Sequence, residues 1–330
     1  MKTRTMLLLT LIIVTGFTFT INVDIQQTSD YKYNLLIAHG ILDTGHTPSA
    51  EPPIPFILLA ALMGCLGEYW GLRAALGVSA SLLALPAYLV ASKLSGSEEA
   101  GLLLALVSVM NPFSYYLVRY CILKNLVGNL FLLTGMALLH RYSETSDRLN
   151  LGLLVGASAA LLLSHVISFY TYLAYLASYM ALSLVNKKQM NIFPILVTLP
   201  LILAVPLLAA QDLSLFLGVL PLTFNYPRFV EAWTYLPAAT SLYAALNTLH
   251  EELRTAPIPT AAALVALALH LGSWITKHGI GIRLLYMTYI PLTLTLATQL
   301  RPGANRRLWL FLAAAYIPQY LAHFIPGGWL

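Results

Sequence analysis

Residues 30–55 read DYKYNLLIAHGILDTGHTPSAEPPIP, a polar, acid-bearing stretch between the first long apolar run and a series of others. After Asp30 the pattern predicts an amphipathic helix over 31–42, suited to lying on a membrane or protein surface. Its apolar stripe comprises Leu35, Ala38 and Leu42. Gly45 and a pair of prolines then form a hinge. Asp30 is expected to cap this helix, to carry out chemistry, or to do both.

The composition identifies a membrane protein. Of 330 residues, 58% are hydrophobic and 9% are charged, whereas soluble domains carry roughly 25% charged residues. Backbone amides within lipid must pair inside helices. We therefore expect an all-α polytopic membrane protein in which residues 1–330 form a single transmembrane domain surrounded by membrane lipids. The net charge is +5, but the positions of the basic residues along the chain indicate no clustered basic surface, so nucleic-acid binding is not expected.

About eleven transmembrane helices are predicted, because apolar runs of about 17–25 residues recur along the chain. The first run, ending near Ile21, is interpreted as an uncleaved span that leaves the N-terminus in the cytoplasm. The others are expected at 71–92, 99–118, 122–140, 150–165, 167–185, 192–210, 233–250, 257–275, 284–300 and 308–325.

The run 54–66 is too short to cross a membrane and is interpreted as an interfacial or re-entrant helix. Residues 24–70 then form a first extracytoplasmic loop with juxtamembrane helices. With this count, the short basic loops NKKQ (186–189) and RPGANRR (301–307) are cytoplasmic, where Lys and Arg concentrate.

Basic residues at the outer ends of the predicted spans are candidates for binding an anion. They are Arg119, Lys124, Arg228, Lys277 and Arg283. A single basic residue of this kind is explained by snorkelling, in which its charged group reaches the membrane interface. Several basic residues at the outer ends of different spans instead favour phosphate binding. His165 also lies near an outer end, where it either faces the same site or hydrogen-bonds a neighbouring helix.

A transition-metal site is not predicted. His39 and His46 are seven residues apart across a glycine, whereas helical ligands usually lie three or four residues apart. The sequence also contains no nucleotide-binding glycine loop, serine-hydrolase elbow or zinc-protease pair.

These features resemble the GT-C superfamily of membrane glycosyltransferases, whose branches include aminoarabinose transferases, protein O-mannosyltransferases and the membrane domain of oligosaccharyltransferases. The matching positions are Asp30, Ala38, Ile41-Leu42, Gly45, Pro52-Pro53, Pro112, Arg119, Arg283 and Pro291. In this comparison, the segment from Pro112 to Arg119 resembles the start of a second outer loop. The chain differs at Glu51, where many members carry a basic residue, and at Lys124-Asn125, where many carry an acid.

The resemblance implies a GT-C-like enzyme of the cytoplasmic membrane whose active face is extracytoplasmic. Asp30 would be the catalytic carboxylate, acting as a base on the acceptor or through a metal. Basic residues would hold the phosphate of a polyprenyl-phosphate or diphosphate sugar donor, and the acceptor would be a lipid or a protein. Because of Lys124-Asn125, no cofactor is assigned, and a divalent metal is kept only as an alternative.

Two other functions stay open at this stage. One is a flippase or transporter of a lipid-linked sugar, and the other is a non-catalytic subunit of an envelope glycosylation complex. The Asp30 carboxylate distinguishes them, since an enzyme requires it and a scaffold tolerates Asp30→Asn.

Overall fold

The structure is a computed structural model that describes residues 3–47, 51–186, 235–253, 255–275 and 278–300, with single residues at 194, 198 and 201. The spans expected at 192–210 and 308–325 therefore lie outside the described ranges, apart from those three positions. Within these ranges the chain forms twelve α-helices and no strand. They are α1 (Thr3–Ile21), α2 (Ser29–Thr44), α3 (Ile54–Ser81), α4 (Ala84–Ser95), α5 (Glu98–Val109), α6 (Pro112–Arg119), α7 (Leu123–Thr145), α8 (Arg148–Leu162), α9 (Val166–Val185), α10 (Tyr235–Glu252), α11 (Pro257–Ile275) and α12 (His278–Gln299).

Five described helical stretches are long and apolar enough to cross a membrane. They are Thr3–Ile21, Ile54–Ser95, Glu98–Arg119, Leu123–Thr145 and Val166–Val185. Shorter apolar helices cover Arg148–Leu162 and Pro257–Ser273. The all-helical membrane class is therefore confirmed, while the count of eleven spans stays a prediction. The segment from Pro112 to Arg119 is helical, because Asn111 caps α6 and proline is favoured at a first helical position.

The described bundle has two polar ends. At one end α1 begins, and the Thr5 hydroxyl donates to the Glu98 carboxylate. Lys93 pairs with Glu144 at 3.0 Å at this same end, where α4 and α7 finish. At the opposite end, where α1 finishes, the loop before α2 and the start of α3 meet the connections between later helices. We call the end where α1 begins the Glu98 end, and the end where α1 finishes the Asp30 end.

Helix α2 lies at the Asp30 end and packs on α3. Its buried residues are Asn34, Ile37 and Ala38, and Tyr31, Leu35 and Ile41 pack against the core. Leu42, expected on the apolar stripe, is 47% exposed because the packed face runs along Ala38 and Ile41 instead. The helix ends at Gly45, whose φ of 74° is a left-handed conformation that favours glycine.

Helix α3 is bent at Gly67, where φ is 77° and ψ is 167°. Glycine reaches this conformation without the steric cost of a Cβ. The first half starts with the Ile54 amide bonded to the Leu163 carbonyl (3.1 Å), and just beyond the bend Glu68 meets His39 of α2 at 2.8 Å. Both ends of 54–66 thus lie at the Asp30 end, which is the geometry that a non-crossing segment requires.

The bend brings the two halves of α3 into backbone contact, which gives a first prediction. A Cβ on Gly71 would lie 2.5 Å from the Met63 Cα atom and 2.6 Å from its nitrogen. Because backbone atoms cannot move aside like a flexible side chain, we expect Gly71→Ala to destabilise the protein by about 1–3 kcal/mol. Thermal unfolding of the purified protein in detergent measures the effect.

Gly152 provides the matched control. It lies on α8, and among the described residues no heavy atom outside its chain neighbours and its own helix backbone lies within 4 Å of the position that a Cβ would take. Gly152→Ala should therefore be neutral or stabilise the protein by up to about 1 kcal/mol. Equal melting temperatures for the two variants would contradict the contact between the halves of α3.

Candidate functional site

Asp30 is held in place by the turn between α6 and α7. Three hydrogen bonds join 26–34 to 119–121: Gln26 N to Arg119 O (2.8 Å), Thr28 Oγ1 to Tyr120 O (3.2 Å) and Asn34 Nδ2 to Cys121 O (2.7 Å). They lie on both sides of Asp30 in the sequence. The carboxylate therefore extends from a segment fixed to the main bundle rather than from a free loop.

The N-cap of α2 is Thr28 rather than Asp30. The Thr28 hydroxyl oxygen accepts from the Tyr31 amide at 3.4 Å, so the expectation that Asp30 caps the helix is wrong. Asp30 instead lies in the first turn, where the helix dipole favours a negative charge. Its side chain is thereby free to contact a residue on another helix.

That residue is Arg283 of α12. Its Nη2 atom lies 3.5 Å from Asp30 Oδ1, and the two side chains are 31% and 35% exposed respectively. Solvent screens a pair with this exposure, so it contributes only about 0–1 kcal/mol to stability. A strong anionic ligand can therefore separate the two groups at low cost.

Lys124 makes a second ion pair at this end. Its ammonium lies 2.8 Å from Glu51 Oε2, with side chains only 16% and 12% exposed, and 5.7 Å from the ring centroid of Tyr33. Glu51 directly precedes Pro52-Pro53, so this pair fixes the loop that leads into α3. The charge of Lys124 is thus balanced in the structure by Glu51.

Breaking this pair should be costly, which gives a second prediction. Removing one partner of a buried pair leaves an uncompensated charge, and we expect Glu51→Gln to destabilise the protein by about 2–3 kcal/mol in thermal unfolding. The double variant Glu51→Gln/Lys124→Met should recover most of the loss. Glu68→Gln is the control, because its pair with His39 is 49% exposed on each side and is worth about 0–1 kcal/mol. Purely additive effects at Glu51 and Lys124 would contradict the pairing.

Two further candidates also lie at this end. Arg119 donates through Nη2 (3.1 Å) and Nε (3.3 Å) to the side-chain oxygen of Gln26, once that amide is oriented to present it. His165 lies between α8 and α9 and caps α9, with its Nδ1 atom 3.3 Å from the Ser168 amide and 2.7 Å from the Ser168 hydroxyl. These bonds lie within its own helix and differ from the bond to a neighbouring helix that one interpretation expected.

Electrostatic effects also connect these groups. Burial lowers the pKa of His165 well below its ordinary value, and the positive charges of Lys124 and Arg283 lower it further, so the imidazole is neutral. Burial raises the pKa of the Cys121 thiol to about 12, and the charge of Asp30 adds to this shift. Cys121 is therefore a protonated structural residue and not a nucleophile.

Arg73 also lies at the Asp30 end, although it is not among the candidates that the sequence indicates. It donates through Nη1 to the carbonyls of Ile21 and Val23 (3.0 Å to the latter) and lies 4.7 Å from the Tyr69 ring centroid. A cation is favourable at a helix C-terminus, so Arg73 caps α1. Glu51 and Gln26 were not recognised as partners of the candidate cations, since no local pattern signals pairs so distant in sequence.

The structure thus brings Asp30, Arg119, Lys124, His165 and Arg283 to one end of the bundle. Arg228 and Lys277 lie outside the described residues. Among the residues that the structure describes, no group of three or more His, Cys, Asp or Glu side chains is arranged to hold a metal ion.

No protein-family model matches this chain, and no curated protein matches its sequence. Its structure is similar to the crystal structure of ArnT from Cupriavidus metallidurans bound to undecaprenyl phosphate, with a TM-score of 0.66 at 12% sequence identity. The fold is ArnT-like. The match covers 94% of this chain and 62% of the ArnT chain, so this chain spans less than two thirds of that protein. At this level of identity the similarity concerns the fold alone.

Proposed function

We propose that this protein is a glycosyltransferase of the cytoplasmic membrane. It transfers a sugar from a polyprenyl-phosphate or diphosphate donor to a lipid or protein acceptor on the extracytoplasmic face. The ArnT-like fold supports this proposal, as does the undecaprenyl phosphate bound in the ArnT structure. The observation that carries it is the ion pair between Asp30 and Arg283 (3.5 Å), which joins a carboxylate and a guanidinium at one end of such a bundle.

Arg283 is the proposed phosphate ligand. A phosphate offers a guanidinium two parallel charge-assisted hydrogen bonds, whereas the contact to Asp30 at 3.5 Å is long and partly exposed. The donor phosphate therefore replaces Asp30 beside Arg283. Donor binding and release of the carboxylate then occur together, which prepares Asp30 for the acceptor.

Asp30 is the proposed general base. It accepts the proton of an acceptor hydroxyl or amine as that group bonds to the anomeric carbon of the sugar. The bond from this carbon to the phosphate oxygen breaks, and its electron pair stays with the polyprenyl phosphate. Arg283 stabilises the negative charge that develops on this oxygen.

The other candidates have supporting roles in this proposal. Arg119 supplies positive charge beside the loop that carries Asp30. His165 is neutral, so it adds no charge to the site. In the structure the Lys124 ammonium is paired with the Glu51 carboxylate. Lys124 therefore contacts the phosphate only when Glu51 moves away. Arg228 and Lys277, which lie outside the described residues, are proposed as further phosphate-binding residues.

A reconstituted assay tests the function. The protein in proteoliposomes is given a radiolabelled decaprenyl-phosphate sugar together with acceptor lipids and proteins from cell membranes. Transfer is expected to release decaprenyl phosphate and to label the acceptor. Movement of intact donor between the leaflets would instead show a flippase. If neither transfer nor movement is observed, the remaining role is that of a non-catalytic subunit.

A further inference from the structure

Two asparagines on α7 are buried without hydrogen-bond partners. Asn125 and Asn129 are each 0% exposed. Both the Nδ2 and the Oδ1 atoms of both side chains lack a partner within the described part of the chain. A buried polar group without a partner costs about 1–3 kcal/mol. Four such atoms are a large cost, since the whole free energy of unfolding is typically about 5–15 kcal/mol.

A chain of polar groups from two other helices starts beside Asn129. Asn125 and Asn129 are four residues apart and so share one face of α7. Asn129 lies near the Tyr289 hydroxyl of α12 without forming a well-aligned hydrogen bond. That hydroxyl is 3.4 Å from the Ser114 Oγ atom of α6. The Phe113 ring stacks on Tyr289 with centroids 6.2 Å apart, so the tyrosine is held in one orientation.

This polar group of residues lies inward of the proposed phosphate ligands. Asn125 and Asn129 follow Lys124 on α7, roughly 2 and 8 Å further along the axis at 1.5 Å per residue. Tyr289 follows Arg283 on α12 by roughly 9 Å. Both helices start at the Asp30 end and run toward the Glu98 end. The four residues carry no formal charge, so they suit a neutral ligand rather than a second phosphate.

We propose that Asn125, Asn129, Tyr289 and Ser114 bind the sugar ring of the donor while the cations of the Asp30 end bind its phosphate. This inference rests on the proposed function and adds to it the residues that recognise the sugar. Each carboxamide has two donor hydrogens and an acceptor oxygen, which complement neighbouring sugar hydroxyls. The sugar thereby supplies the missing partners, and the cost of the unpaired amides in the ligand-free protein is offset on binding.

The test compares two classes of lipid, with and without a sugar, and two leucine variants. Binding of decaprenyl phosphate is measured against binding of decaprenyl phosphates that carry glucose, mannose or 4-amino-4-deoxyarabinose, in nanodiscs by native mass spectrometry. Wild type should prefer at least one sugar-bearing lipid. Asn125→Leu and Asn129→Leu should lower that preference at least tenfold and leave decaprenyl phosphate binding unchanged.

Stability provides an independent readout. Leucine matches asparagine in its number of side-chain heavy atoms and its branching at Cγ, and it removes the unpaired polar atoms, so the ligand-free variants should melt at or above the wild-type temperature. Tyr289→Phe removes a single hydroxyl and should lower the preference less, by about threefold to tenfold. Asn22→Leu is the control, because Asn22 is exposed and its side-chain amide bonds only to the Thr18 carbonyl in the described ranges.

Each contrary result overturns this inference, and one of them also overturns the proposed function. Unchanged preference in the variants, or equal loss for both classes of lipid, would show that the asparagines hold water or only pack helices. A wild type that binds decaprenyl phosphate but prefers none of the sugar lipids overturns this inference and leaves the proposed phosphate site standing. A wild type that binds no polyprenyl phosphate overturns the proposed function and the inference together.

Discussion

Asp30→Asn is expected to lower sugar transfer at least about 100-fold, because general-base catalysis contributes roughly 10²- to 10⁴-fold. Asparagine keeps the size of the side chain but cannot accept a proton from the acceptor. The melting temperature should change little, since the pair with Arg283 is about one third exposed and is worth only about 0–1 kcal/mol. The reconstituted transfer assay and thermal unfolding measure the two effects separately.

Asp43→Asn is the matched control for this variant. Asp43 lies on the same helix, in its last turn, and is exposed, so its loss should leave transfer near the wild-type rate. Wild-type transfer by Asp30→Asn would remove Asp30 from the catalytic role. An equal decrease in both variants would show that the rate depends on the net charge of α2 rather than on one carboxylate.

Arg283→Ala is expected to weaken binding of decaprenyl phosphate about tenfold to 100-fold. Hydrogen bonds to charged groups contribute about 1.5–3 kcal/mol, and each 1.4 kcal/mol is a factor of ten in affinity. Arg283→Lys should recover only part of the loss, because an ammonium cannot form two parallel hydrogen bonds to phosphate. Binding is measured in nanodiscs at fixed ionic strength, since salt screens exposed charges.

The control for Arg283 is Lys32→Ala, which removes an exposed cation from α2 and should change affinity by less than about twofold. Asp30→Asn adds a second comparison. It removes the carboxylate that competes with phosphate for Arg283, so this variant should bind decaprenyl phosphate at least as tightly as wild type. Unchanged binding by Arg283→Ala would exclude Arg283 from the phosphate site.

Several elements could be predicted because their signals are local. The composition and apolar runs indicated a helical membrane protein, and the amphipathic pattern over 31–42 lies within the observed α2 (Ser29–Thr44). The capping residue was missed because Thr28, Ser29 and Asp30 are all good caps by type, and hydrogen-bond geometry decides among them. The helix at Pro112 had a usable signal, since Asn111-Pro112 is a typical helix start.

The candidate site depends on contacts that no local pattern encodes. The resemblance and the charge rule placed Asp30 and Arg283 on one face, but their contact results from the packing of α2 and α12. The pair of Glu51 and Lys124 was visible only as two separate departures from the superfamily pattern. The spacing of Asn125 and Asn129 was a local signal, because polar residues within an apolar helix are costly and often functional.

The three hydrogen bonds that anchor 26–34 to 119–121 have a consequence for biosynthesis. They can form as soon as residues 119–121 have left the ribosome, whereas Arg283 follows Cys121 by about 160 residues, or about 8–32 seconds of translation at 5–20 residues per second. During that interval the carboxylate has its backbone scaffold but not its guanidinium. A nascent chain arrested before α12 should therefore already protect residues 26–34 from protease, while Asp30 still lacks its partner.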